Sequence, residues 1–249
     1  MPVIAWIAIF SLLGSVGVIA GAGIVLLAKE HLRPRLLPRL VSYAVGTLLG
    51  ASFLGMLPRA LERAQSGAVL SATLLGLIFF FILEKWVLWR HCHQAECDIH
   101  SPASQLILVG DAFHNFVDGF AVASAFLVSV PLGISTSLAV IAHEIPQELG
   151  DFAILLESGY TRSRALVYNL LCSATTLPGA LIAYFALSAL SAIIPYVLAV
   201  SAASFIYIAT ADLIPGLHRQ TSPGSGLQQL ALLLLGVATI SLVRLLGQN

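Results

Sequence analysis

Between residues 111 and 151 the chain sets Asp111, His114, Asn115, Asp118, His143, Glu144, Gln147, Glu148 and Asp151 inside two otherwise apolar stretches. Imidazole nitrogen together with carboxylate oxygen is the donor set that a borderline divalent cation takes. In DAFHNFVDGFAVASAF, His114 and Asp118 are four residues apart and share a helix face, with Asp111 a turn before them. In AHEIPQELGDFAILLE, His143 stacks with Gln147, and Glu144 with Glu148 and Asp151. Pro146 lacks an N–H and clashes with the carbonyl of Ala142, so it is expected to kink that helix and free a backbone oxygen nearby. Side chains that only tied two helices together would not need two histidines, five acids and two amides. Cation binding is the chemistry these spacings point to.

Such donors need two facing helices to hold them, and the composition says in what medium those helices lie. Of 249 residues, 58% are hydrophobic and only 10% charged, with 12 Lys+Arg balanced by 12 Asp+Glu. A soluble domain usually carries about a quarter charged residues, so an ordinary soluble enzyme is excluded. A nucleic-acid binder is excluded too, because there is no basic excess to neutralise phosphates. The lipid bilayer is the expected surrounding. A bilayer core of about 30 Å takes roughly 20 apolar residues per helix. Eight runs fit: 3–28, 40–57, 67–90, 104–130, 132–157, 163–190, 192–214 and 226–246. The expectation is an all-α integral membrane protein with eight transmembrane helices, a single domain over 1–249. MPVIAWIAIF has no basic stretch ahead of its apolar run and reads as a retained first helix.

Orientation follows from the basic residues, which collect on the cytoplasmic side. With the N-terminus outside, Lys29, Arg33, Arg35, Arg39, Lys85, Arg90, Arg162, Arg164 and Arg219 fall inside, and Arg59, Arg63 and Arg244 outside. Both termini are therefore expected outside the cytoplasm. The loop 91–103 then faces in, and it offers His91, Cys92, His93, Glu96, Cys97, Asp98 and His100 as a metal-receiving surface or a solvated linker. Cys172 lies in an apolar run and reads as a small core residue. His31, Glu84, Asp212 and His218 read as interface or helix-end residues, and the pairs Gly17/Gly21 and Gly46/Gly50 as sites of close helix packing.

HNFVDG at 114–119 and HEIPQELGD at 143–151 resemble the fourth- and fifth-helix signatures of the ZIP (Zrt/Irt-like) metal transporters, in particular the subfamily whose fifth helix reads HEIPHELGD. FFFILEKWVLWRHCH at 79–93 is similar to that subfamily's third helix running into its His-rich loop. The resemblance implies uptake of zinc, or of iron or manganese, into the cytoplasm through a site between the fourth and fifth helices. It implies His114, Asn115 and Asp118 as ligands from the fourth helix and His143, Glu144 and Gln147 from the fifth. Asp111, Glu148 and Asp151 are left as relay or supporting groups. It also implies a homodimer. Three departures stand out: Gln147 where relatives have His or Glu, Thr175 and Thr176 near where many place a Glu, and a second helix without the Asp and His that relatives carry before its proline. One principal metal position is therefore expected.

HEIPQ also resembles the H-E-x-x-H of zinc hydrolases, which makes an intramembrane zinc-dependent hydrolase the alternative. That motif needs a second histidine on a regular helix, and Gln147 stands there just after Pro146. The reading is a transporter and not an enzyme, with the metal as cargo and no cofactor. The short loops suggest a bacterial plasma (inner) membrane.

Overall fold

The computed structural model describes residues 1–27, 33–91, 102–219 and 225–246. Every regular element among them is helical: α1 (Val3–Leu27), α2 (Arg33–Gly50), α3 (Leu57–Leu61), α4 (Ser66–His91), α5 (Pro102–Val128), α6 (Val130–Glu157), α7 (Arg162–Ser173), α8 (Thr176–Ala189), α9 (Ile194–Tyr207), α10 (Ile214–His218) and α11 (Ser225–Leu246). Among the described residues, six helical stretches are long and apolar enough to cross a membrane. The two that carry the chemistry, α5 and α6, are not among the six. At 27 and 28 residues, and about 1.5 Å of rise each, both are nonetheless longer than a bilayer core.

The structure corrects several expected boundaries. The second helix begins at Arg33, with Pro38 inside it, where the prolines suggested a loop as far as 39. It runs through a π-helical turn, Ala51–Met56, into α3, and α9 runs through another, Ile208–Leu213, into α10. Each wide turn ends just before a proline, Pro58 or Pro215, and takes up the disorder that a missing N–H causes in the helical ladder. The carbonyl four residues before Pro58 belongs to Leu54, and the Arg244 guanidinium of α11 donates to it. The expected helix over 163–190 is two helices, α7 and α8, broken at Ala174 and Thr175. Pro146 does not break its helix, and α6 is continuous from Val130 to Glu157.

The turn between α5 and α6 sets the two site helices side by side. Ser129 is extended (φ −165°, ψ 151°), and its hydroxyl accepts from the Leu132 backbone N–H at 3.3 Å. Pro131, in the first turn of α6, occupies a position where a helix leaves N–H groups unpaired in any case. Near that turn the core is apolar: Phe126, Met56, Leu48 and Ile7 are fully buried, Trp6 stacks on Phe126 and Phe10 is tilted against it. The polar residues lie deeper along α5 and α6, away from this apolar cap.

Glycines bring the supporting helices to backbone contact. A Cβ on Gly119 would lie 2.2 Å from the Thr176 carbonyl oxygen, and one on Gly179 equally close to that of Phe116, so α5 and α8 touch main chain to main chain. Gly46 and Gly236 do the same for α2 and α11, as the Gly46/Gly50 pair led us to expect. Gly17 is different: among the described residues a Cβ there would meet nothing within 4 Å. The helices pair most extensively as α5 with α8, α2 with α11, α4 with α9, α1 with α6 and α5 with α6.

Candidate metal centre

Four side chains from two helices converge on one point. His114 and Asp118 come from successive turns of α5, and His143 and Glu144 are neighbours on α6. The His114 and His143 Nε2 atoms are 3.2 Å apart. His143 Nε2 lies 3.3 Å from Asp118 Oδ2 and 3.5 Å from Glu144 Oε1; His114 Nε2 lies 3.8 and 3.3 Å from the same two oxygens. A zinc ion with tetrahedral bonds of about 2.1 Å would need ligand atoms about 3.4 Å apart. The measured edges bracket that value, so the cage has the size and the N2O2 donor set of a zinc site.

The electrostatics require something positive there. Asp118 and Glu144 are 0% and 2% exposed, and apart from the two imidazoles of the cage no hydrogen-bond donor serves either carboxylate. Buried polar groups without partners cost of the order of kcal/mol each, and buried charges more. A divalent cation bound to both acids removes that cost. The histidines are arranged to accept it: His143 Nδ1 lies 2.9 Å from the Ala139 carbonyl oxygen, to which it can only donate, so the Nε2 lone pair faces the cage. The Phe205 ring of α9 meets the His143 ring edge-on, with centroids 5.8 Å apart, and holds its plane.

His143 is 1% exposed, but the His114 side chain is 18% exposed. His114 forms part of the wall of a cavity of about 340 Å³ shared by α2, α6 and the π-helical turn after α9. Leu37, Val41, Pro146, Gln147, Ile208, Asp212 and Leu213 complete the lining. The cage thus borders this cavity through His114.

The other residues expected to act are placed as follows. Asn115 is buried, but its Nδ2 donates to Asp111 Oδ1 at 3.0 Å and its Oδ1 accepts from Thr176 Oγ1 at 3.1 Å. Gln147 Nε2 also points to Asp111 Oδ1, at 3.5 Å. Both amides therefore steady Asp111. Asp151 is half-buried one turn beyond Glu148 on α6. His91 ends α4, but its side chain, together with Cys92, His93, Cys97 and His100, lies outside the described residues, as does His31. Glu84 accepts from Tyr207, and Asp212 is exposed at the cavity wall.

Sequence reasoning missed the part played by α7. Ser173 Oγ donates to Glu148 Oε1, Asn169 Nδ2 donates to the Glu148 carbonyl at 3.0 Å, and Ser15 Oγ of α1 donates to the Ser173 carbonyl at 2.7 Å. Cys172 is buried, and its Sγ donates to the Leu108 carbonyl at 3.3 Å. The signal was present: Asn169, Cys172, Ser173 and Thr176 recur at helical spacing in an apolar run and form one small polar stripe.

A family profile described as "ZIP Zinc transporter" matches residues 89–244. The chain is 35% identical over 230 residues to "Zinc transporter ZIP13" of Pongo abelii, covering 84% of this chain and 67% of that protein. It is 32% identical over 324 aligned positions to "Zinc transporter ZIP13 homolog" of Drosophila melanogaster, covering 97% and 90%. Against "Zinc transporter ZIP10" of Homo sapiens it is 44% identical over 110 residues, 44% of this chain, and spans only 13% of that protein. These relatives are animal proteins and lend no support to a bacterial inner membrane. Their names describe transporters, and the hydrolase alternative gains nothing from them.

Proposed function

The chain belongs to the ZIP zinc transporter family, and from that premise we propose that it is a multi-pass membrane protein that moves zinc into the cytoplasm through the cage of His114, Asp118, His143 and Glu144. Zinc is the cargo and not a cofactor, and the protein is a transporter and not an enzyme. The observation that carries the reading is the cage itself: four convergent donors at zinc spacing, two of them buried carboxylates that no donor outside the cage serves.

In this reading all eight helical stretches cross the membrane, with both termini outside the cytoplasm and the 91–103 loop inside as a receiving surface. The whole of 1–249 forms one transport domain, and the protein works as a homodimer. Asn115 and Gln147 act by orienting Asp111 beside the cage. Iron and manganese are secondary cargoes, since an N2O2 site also accepts them.

Two groups of helices, α1 with α5 to α8 and α2 to α4 with α9 to α11, each pack internally and meet most extensively where α6 lies against α2. The cage belongs to the first group and meets the second at the His143–Phe205 contact. Sliding of one group past the other would expose the cage first to the apolar-capped side and then to the cavity at His114, without unfolding either group. The test is uptake of radiolabelled zinc by proteoliposomes containing the purified chain. Wild type should accumulate zinc above empty vesicles, and His114→Ala and His143→Ala should not. Equal uptake by the variants would refute the assignment.

A further inference from the structure

We propose that a phospholipid acyl chain occupies an apolar slot between α4, α5 and α9, and that the two helix groups move against it as zinc is carried. The proposal rests on the transport reading and adds a lipid site to it. The slot is a cavity of about 510 Å³. Phe79 of α4, Phe113, Phe116 and Phe120 of α5, and Tyr196 and Val200 of α9 form much of its wall.

Packing on either side opens it. Gly76 presses α4 onto α9, since a Cβ there would lie 2.8 Å from that of Ala203. Gly119 and Gly179 draw α5 the other way, onto α8. α4 therefore packs closely on α9 and scarcely on α5. Ring pairs brace the walls: the centroids of Phe116 and Phe120 are 5.4 Å apart, and those of Phe79 and Phe80 5.3 Å.

The lining and the surroundings decide the occupant. Among the described residues that form the wall, only Tyr196 and Ser201 carry a polar side-chain atom. A buried water needs about two to four polar partners, so the interior excludes it. Phe79, Phe113, Ile193 and Tyr196 are exposed at the edge, which makes the slot continuous with the surface that these helices turn to lipid. Tyr196 lies in the first turn of α9, at the level where a ring with a polar tip meets the headgroups. α9 begins at the face where α5 ends. The span from Phe113 to Val128, the end of α5, is about 22 Å at about 1.5 Å of rise per residue. The slot thus runs from one membrane face to about the middle of a bilayer core roughly 30 Å thick, which is the depth of one acyl chain. Phospholipid is the solvent of that surface, and its chain is flexible enough to pass between staggered rings.

The position gives the lipid a part in transport. On α5, Phe113 and Val117 are the neighbours of His114 and Asp118, so the slot lies along the back of a helix that carries half of the cage. Its other wall, α4 and α9, belongs to the second group of helices. A fluid chain between them lets α5 slide without interlocking ring with ring. A rigid side chain in its place would key the two groups together.

The experiment is photolabelling of the purified full chain in phosphatidylcholine nanodiscs that contain a rising fraction of phosphatidylcholine with a diazirine in one acyl chain. Labelled peptides are mapped by mass spectrometry. Labelling of segments 113–120 and 196–201 should saturate, as at a site, whereas labelling around the exposed Leu234 of α11 should rise in proportion to the probe. Val197→Trp, which fills the slot from α9, should lose the saturable labelling. It should also carry zinc more slowly in proteoliposomes, with zinc affinity by dye competition unchanged. Val200→Phe carries the test should V197W fail to fold, and Leu234→Trp, on the lipid face, should alter neither labelling of the slot nor transport. Labelling that rises in proportion at every segment, or that saturates only with a photoreactive sterol or free fatty acid, would overturn the site. Full transport by a variant that has lost the label would overturn its part in the movement. Failure of the transport reading would register separately, as zinc uptake absent in wild type or unchanged in His143→Ala while the labelling pattern stands.

Discussion

Thr176 Oγ1 donates to Asn115 Oδ1 at 3.1 Å, which leaves the Asn115 amide nitrogen free to hold Asp111. α8 thus reaches the metal region without contributing a ligand: it orders one amide, which orders one carboxylate. Replacing Thr176 with Val keeps the volume and removes the donor. The buried Asn115 oxygen is then unpaired, at a cost of about 1–3 kcal/mol in stability. Thermal unfolding in detergent should report that loss, and zinc uptake should fall with it. Thr176→Ser should restore both, and a Val variant as stable and active as wild type would refute the chain of contacts.

His143 is the ligand whose proton is placed by the backbone, through Ala139. His143→Ala should weaken zinc binding by more than the roughly 10–100-fold typical of losing a group that only orients a ligand. His143→Gln offers a neutral oxygen or nitrogen at similar reach and should fall between the two. Competition against a chelating dye measures both.

The close approach of α5 and α8 gives a prediction about stability that does not involve metal. Gly119→Ala would set a methyl group 2.2 Å from the Thr176 carbonyl oxygen, and backbone cannot move aside as a side chain can. Overpacking of this kind costs about 1–3 kcal/mol or more. Gly17→Ala, with nothing within 4 Å, is the control and should be neutral or slightly stabilising. Melting temperatures of the two variants should move in opposite directions or, at the least, only that of Gly119→Ala should fall.

How much of this was legible beforehand differs between the fold and the site. Long apolar runs marked the helices, and the spacing of His114 with Asp118 marked one face of the cage, because both signals are local in sequence. The joins were less legible. The π-helical turns at Ala51–Met56 and Ile208–Leu213 depend on how a proline's missing N–H is absorbed, which neighbouring helices decide. Asn115 and Gln147 matched ligand positions by type, yet both face Asp111. An amide's sequence position fixes the turn it occupies, but its hydrogen-bond partners fix where it points. The part of α7 was hidden for the same reason: Ser173 matters only because packing brings it to Glu148, 25 positions away.

The last prediction concerns acidity. Both imidazoles bind metal through a neutral Nε2, so a proton and a zinc ion compete for the same lone pair. Lowering the pH can only weaken binding, and the sign is fixed by the geometry: His143 already spends its Nδ1 on Ala139, so its incoming proton must go to Nε2, at the cage. His114 and His143 Nε2 lie 3.2 Å apart, so two protons there also repel each other and would have to leave together when zinc binds. Where both histidines are protonated in the metal-free protein, zinc affinity should change about a hundredfold per pH unit, one factor of ten for each proton released. His114→Ala removes one of the two and should flatten the dependence to about tenfold per unit. Zinc affinities measured by dye competition across a pH series, wild type beside His114→Ala, check this directly. Equal slopes for the two proteins would show that His114 does not ligate, whatever its distance from the cage.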